Sequence, residues 1–171
     1  MIGGPDRGRR AAALRLARLV ALVTPLALLG GAYIGQFAFG LFPCEMCWWQ
    51  RYAHFTALGL ALVALVLRES RAIVGLAAFA IAVSGAIGAF HAGVEYRWWQ
   101  GFTACTSTAA AGDDPLAAIM NAPLVRCDTA PWDLLGVSLA GWNFLFSGAA
   151  ALAIVILLLR SRETGIREMG R

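Results

Sequence analysis

The sequence predicts an all-α integral membrane protein: a four-transmembrane-helix bundle with a long outward loop that carries a short interfacial helix. Three observations predict it. Of 171 residues, 60% are hydrophobic and 14% charged, with a mean hydropathy of +0.69, too apolar to clothe a soluble domain of this size in polar surface. Four apolar stretches, 19–39, 48–67, 72–91 and 134–159, reach the length of about 20 residues that a bilayer core requires. The basic residues are all arginine, and most sit at three edges of those stretches: Arg7, Arg9, Arg10, Arg15 and Arg18, then Arg68 and Arg71, then Arg160, Arg162, Arg167 and Arg171.

That distribution orients the bundle. Cytoplasmic segments collect arginine, so both termini and the 68–71 turn face the cytoplasm, and the segments 40–47 and 92–133 face outward. The net charge of +4 therefore anchors topology and does not mark a nucleic-acid patch. A cleaved signal peptide is disfavoured, because the first apolar run exceeds the usual core of about 7–15 residues and ends without a small-x-small site. Residues 1–171 form one membrane domain, with no internal repeat.

Each element follows in order. Span one carries Pro25 and Gly31-x-x-x-Gly35, a small-residue spacing that lets a neighbouring helix approach closely. Phe42-Pro43 closes the first outward loop, and Pro43 suits a helix start, where its missing amide costs nothing. Arg68-Glu69-Ser70-Arg71 is a tight turn. Span three offers Ser84, Gly85 and Gly88 for helix contact and ends on His91. The long loop 92–133 is of a length that is usually functional; within it, residues 115–121 are expected to form a short helix on the bilayer surface, capped by Asp114. Trp98, Trp99, Trp132 and Trp142 fall where tryptophan anchors a protein at the membrane interface.

The chemistry gathers at Cys44-Glu45-Met46-Cys47 and Arg51. On a helix, Cys44, Cys47, Arg51 and His54 share a stripe about 80° wide. Two thiols three residues apart close a reducible ring, and a helix start favours the thiolate. All four cysteines, Cys44, Cys47, Cys105 and Cys127, lie on the outward, disulfide-permissive side. Haem attachment is excluded, since Trp48 and not histidine follows the second cysteine. Tetrahedral zinc on the four cysteines is disfavoured because the second pair lacks a short metal-knuckle spacing, so no metal is expected. Arg51 at membrane depth demands a functional reason; on the cysteine stripe it is suited to hold an oxygen-rich ligand beside Cys47. His54 reads as a buried histidine bonded to a neighbouring helix, and His91 is placed to meet the same pocket.

Taken together, Pro43-Cys44-x-x-Cys47-x-x-Gln50-Arg51, His91 at the end of span three, Cys105 and Cys127 in the second outward loop, and Trp132-Asp133-x-Leu135-Gly136 before span four resemble the bacterial disulfide-bond formation protein B (DsbB) family over nearly the whole chain. The resemblance implies an inner-membrane thiol:quinone oxidoreductase that reoxidises a periplasmic, thioredoxin-fold oxidase of the DsbA type. It implies an electron path from that partner to Cys105 and Cys127, then to Cys44 and Cys47, then to ubiquinone or menaquinone. Cys105 would be attacked by the partner, with Cys127 its mate. Cys44 would exchange with the loop, Cys47 would face the quinone, and Arg51, helped by His91, would bind it. The chain departs from the enterobacterial pattern in having Gln50 in place of glutamate and a shorter Cys105–Cys127 spacing, which bears on loop geometry and partner choice.

Three other readings compete. A DsbB-like paralogue serving a dedicated oxidase is the nearest variant. The vitamin K epoxide reductase family also couples cysteines to a quinone, but its C-x-x-C follows the loop cysteines, the reverse of the order here. A non-catalytic membrane scaffold with stapled outer loops would keep working without Cys47.

Overall fold

The computed structural model describes the backbone of residues 5–67, 70–101, 106–107 and 124–169, and the side chains of 8–67, 70–101 and 125–161. Four helices dominate: α1 (Pro5–Phe39), α2 (Glu45–Val66), α3 (Arg71–Glu95) and α4 (Leu139–Met169). Between α3 and α4 lie four two-residue strands, β1 (Thr106–Ser107), β2 (Leu124–Val125), β3 (Asp133–Leu134) and β4 (Val137–Ser138). β1 pairs antiparallel with β2, and β3 with β4. Within α1, α3 and α4 the segments Gly8–Phe39, Arg71–Glu95 and Leu139–Ser161 are long and apolar enough to cross a bilayer. This is an integral membrane protein. The remaining helix, α2, buries Gln50, Arg51 and His54 in its first turns.

The bundle packs through small residues. Ala17, Ala21, Ala57, Ala61, Ala64 and Ala77 are buried at its centre with Val74, Ile81 and Ile154, while bulky side chains such as Val66, Phe79 and Leu152 stay exposed on the outside. That arrangement suits a lipid solvent, in which close backbone approach stabilises the bundle and apolar side chains outside cost nothing. Gly85 and Gly88 bear on α4 as expected: a Cβ at Gly88 would meet the Ala140 carbonyl oxygen at 2.9 Å and the Phe144 backbone nitrogen at 3.2 Å.

The Gly31-x-x-x-Gly35 expectation is corrected. A Cβ on Gly31 would touch nothing within 4 Å, and one on Gly35 would meet only the Leu41 side chain at 3.5 Å. No helix seats there; both glycines line a cavity. The opening of α4 also differs from the hydropathy boundary at 134. Residues 133–138 form the β3–β4 hairpin, whose turn holds Leu135 at φ 55° and Gly136 at φ 75°, and the helix begins at Leu139.

Helix ends are secured locally. Ser70 caps α3 by accepting from the Ile73 amide, and Arg71 donates to the Ser161 carbonyl of α4 across 2.8 Å. Arg68 and Glu69, the 115–121 helix and its Asp114 cap, and Cys105 lie outside the described residues. Trp99 turns back on α3: its indole donates to the Phe90 carbonyl at 2.9 Å and its ring stacks on Phe90.

Candidate redox site at the head of α2

Cys44 is the N-cap of α2, with extended backbone and a sulfur that accepts from the Cys47 amide. A cap sulfur one turn below Cys47 is thereby aimed along the helix start, where unsatisfied amides favour negative charge. The two sulfurs are 3.1 Å apart with the Cys44 thiol donating, a dithiol rather than a closed bridge. Both sit ahead of the 48–67 stretch. The Cys44 thiol is pushed up to about 12, first by its hydrogen bond to Cys47 and then by burial; the same hydrogen bond holds Cys47 below the ordinary thiol range against the opposing effect of burial. The pair is thus asymmetric: the proton is held more tightly on Cys44, and Cys47 is the sulfur more readily ionised.

Cys127 arrives from the long loop and is buried, packing with Cys44, Met46 and Val94. Its sulfur, the Cys44 sulfur and a ring nitrogen of His91 lie within 4.8 Å of one another. Beside it, Arg126 grips the Asp128 carboxylate with Nε at 2.8 Å and Nη2 at 2.6 Å, and this charged fork holds that carboxyl down to about 2. The strand pair next to it places Thr106, the residue after Cys105 in sequence, opposite Val125.

His91 is oriented by a chain of amides across three helices. Asn143 of α4 donates to the Ser84 carbonyl at 3.1 Å and to Gln50 Oε1 at 2.8 Å. Gln50 then donates from Nε2 to the Met46 carbonyl at 3.1 Å and to His91 Nδ1 at 3.0 Å. Two backbone carbonyls, which can only accept, fix which end of each amide is the donor. His91 Nδ1 must therefore accept, leaving the ring proton on Nε2. That nitrogen faces Cys44 Sγ at 3.5 Å and Glu95 Oε1 at 3.6 Å. His54 takes the expected bland role, bonding Asn143 Oδ1 at 2.9 Å.

Arg51 is 6% exposed. Its guanidinium donates to Gln36 Oε1 at 2.6 Å and to the Ala32 carbonyl at 3.3 Å, both on α1. It also lies over the rings of Tyr33 and Trp48, at 4.8 Å and 5.1 Å from their centroids. A cavity of about 390 Å³, bordered by Gly31, Gly35, Phe42, Cys47, Arg51 and Glu95, opens beside it, within the usual size of a small-molecule pocket. A second cavity, of about 300 Å³, joins Cys44, Cys47, His91 and Glu95 to Arg126 on the loop. Of the sequence-predicted site residues, Cys44, Cys47, Cys127, Arg51 and His91 converge here.

Comparison with known proteins identifies the family. The profile of a family described as "Disulfide bond formation protein DsbB" matches residues 14–157. The chain belongs to the DsbB family. Relatives named Disulfide bond formation protein B include one from Polaromonas sp. (strain JS666 / ATCC BAA-500), 30% identical over 85% of this chain and 90% of its own length. One from Verminephrobacter eiseniae (strain EF01-2) is 32% identical over 85% and 86%, and one from Paracidovorax citrulli (strain AAC00-1) is 32% identical over 80% and 86%. No solved structure matches the chain.

Three residues of this DsbB-family site escape a reading of motifs alone: Gln36, Asn143 and Glu95. Gln36 and Asn143 are polar residues inside apolar helices, the class that marks an interior contact in a membrane. Glu95 stands one turn after His91 on α3, and the i,i+4 spacing was its signal.

Proposed function

We propose that this chain is a thiol:quinone oxidoreductase of the bacterial inner membrane, oxidising a periplasmic thioredoxin-fold protein of the DsbA type through two cysteine pairs. In this reading all four helices span the membrane, both termini are cytoplasmic, and the cysteines face the periplasm. The observation that carries it is the position of Cys44. Its sulfur is 3.1 Å from Cys47 and within 4.8 Å of Cys127, so one sulfur can exchange with the loop and also close on its neighbour.

The chemistry follows from that position. A reduced partner transfers its electrons to the Cys105–Cys127 pair by thiol–disulfide exchange, a thiolate attack that needs an accessible sulfur. Cys127 then attacks Cys44 of the oxidised C-x-x-C, forming a Cys44–Cys127 bond and freeing Cys47; Cys105 attacks Cys127 in turn, closing the loop disulfide and leaving Cys44 and Cys47 as the dithiol. When bound, ubiquinone or menaquinone supplies an acceptor for two electrons and two protons. The residues fit such a ring: Cys47 and Arg51 border the same cavity as apolar side chains such as Leu28, Phe42, Trp132 and Phe146. Arg51, held by Gln36 and Ala32 and flanked by two aromatic rings, retains further N–H groups to meet a carbonyl oxygen. The neutral His91 N–H steadies negative charge on Cys44 as that sulfur exchanges.

Purified protein mixed with reduced partner and a short-chain quinone tests this reading. Quinone absorbance should fall in step with partner oxidation, and Cys47→Ser should abolish the fall. A non-catalytic scaffold would bleach no quinone with or without Cys47.

A further inference from the structure

Glu95 is the last residue of α3, one turn past His91, and its side chain is 2% exposed. Its Oε2 is buried without a hydrogen-bond partner, and the residue borders both the Arg51 cavity and the loop-side cavity. A buried carboxyl bordering both cavities beside the cysteines is a functional-site candidate.

The thiol-to-quinone step, on whose assignment above this inference rests, must dispose of two protons. Cys44 and Cys47 each lose one electron and one proton as their S–S bond forms, and the quinone leaves as the hydroquinone carrying both. The Cys44 thiol donates to the Cys47 sulfur, so the Cys44 proton must leave before that sulfur can close on Cys47. His91 is engaged at both nitrogens: the Gln50 amide donates to Nδ1 and Nε2 faces Cys44 and Glu95, so a proton added at Nδ1 would set two donors face to face. The carboxylate beside that N–H is the remaining base: Cys44 Sγ and Glu95 Oε1 lie 3.5 Å and 3.6 Å from the same nitrogen, and both residues border the loop-side cavity, where water can carry a proton between them.

We propose that Glu95 is the proton carrier of this site, accepting the Cys44 proton as Cys44 closes on Cys47 and releasing it into the neighbouring cavity, where the reduced ring oxygen takes it up. The ionisable groups facing it across the two cavities are Cys44, Cys47 and Arg51 from α2, His54 deeper on α2, His91 from α3, and Arg126 from the loop. Among the described residues no second carboxylate borders either cavity.

The test needs no quinone. The full-length chain carrying Cys105→Ser and Cys127→Ser is reduced, stripped of quinone and mixed with a dipyridyl disulfide. Attack by Cys47 releases a first thiopyridone; displacement by Cys44, which closes the Cys44–Cys47 bond, releases a second. With Glu95→Gln the second release should slow at least about tenfold at neutral pH and climb with hydroxide concentration. Glu95→Asp should recover part of the rate. Mere loss of a negative charge near Cys44 would do the opposite and speed closure, so a Glu95→Gln rate equal to or above the parent overturns the proposal. So does Glu95→Asp as slow as Glu95→Gln. In the chain with all four cysteines, hydroquinone formation should fall by a similar factor; an unchanged rate there also overturns it. A parent chain that closes its bond normally yet never reduces quinone would instead sink the function proposed above.

Discussion

Cys127 reaches the site from the long loop, yet its sulfur lies within 4.8 Å of the Cys44 sulfur. Two cysteines from separate segments, buried against the same Met46 and Val94 side chains, stand within a small side-chain rotation of bonding distance. The long loop and the helix pair therefore share a junction.

Removing the competing sulfurs should expose that junction. With Cys47→Ser and Cys105→Ser together, mild oxidation should join Cys44 to Cys127 in most molecules, read as a linked peptide pair by mass spectrometry after alkylation of remaining thiols. Two fully alkylated cysteines would show that the segments do not meet.

The thiol pair should react asymmetrically with pH. The proton sits on Cys44, pushed up to about 12, while Cys47 is held below the ordinary range. Alkylation of the reduced chain at neutral pH should therefore mark Cys47 first, and its rate should persist as pH falls below the range where a free thiol of about 8.5 loses reactivity. Cys44→Ala removes the stabilising donor, so the Cys47 profile should move to higher pH. Equal labelling of both cysteines would contradict the assignment.

Arg51→Ala should weaken quinone use while sparing exchange with the soluble partner. Charged hydrogen bonds contribute about 1.5–3 kcal/mol, so KM for quinone should rise roughly tenfold or more. Arg51→Lys should rescue little, because an ammonium cannot span Gln36 and Ala32 while lying flat against Tyr33 and Trp48. Steady-state titration with quinone at saturating partner distinguishes these outcomes from a general loss of rate.

Asn143→Leu should destabilise the bundle. It strips donors from Gln50 Oε1 and the Ser84 carbonyl and an acceptor from His54, buried groups whose unmet hydrogen bonds cost about 1–3 kcal/mol each. Gly88→Val should do likewise by driving a side chain into the α4 backbone, at about 1–3 kcal/mol. Thermal unfolding in detergent, followed by circular dichroism, should show a lower Tm for both; an unchanged Tm for Asn143→Leu would mean that water replaces the amide.

Much of this was legible in the residues. Hydropathy revealed the helices because a bilayer leaves few alternatives for an apolar backbone, and the spacing of Cys44, Cys47 and Arg51 pointed to one site because an α2 stripe brings them together. The Gly31 and Gly35 pair misled, since small residues make room equally well for a helix or for a cavity, and only the neighbours decide which. The hairpin at 133–138 was hidden because its apolar Leu134, Leu135 and Val137 extend the hydrophobic run of α4 while the turn depends on the positive φ of Leu135 and Gly136. The Asn143–Gln50–His91 relay joins three helices, and no periodicity within one helix announces it.

Anaerobic stoichiometry gives the sharpest test. Purified protein in catalytic amount, excess reduced thioredoxin-fold partner and a measured amount of quinone should yield one partner disulfide and one hydroquinone for each quinone supplied, then stop. Partner oxidation that runs on without consuming quinone, or quinone that stays oxidised while the partner is spent, would contradict the transfer of electron pairs from Cys47 into the cavity beside Arg51.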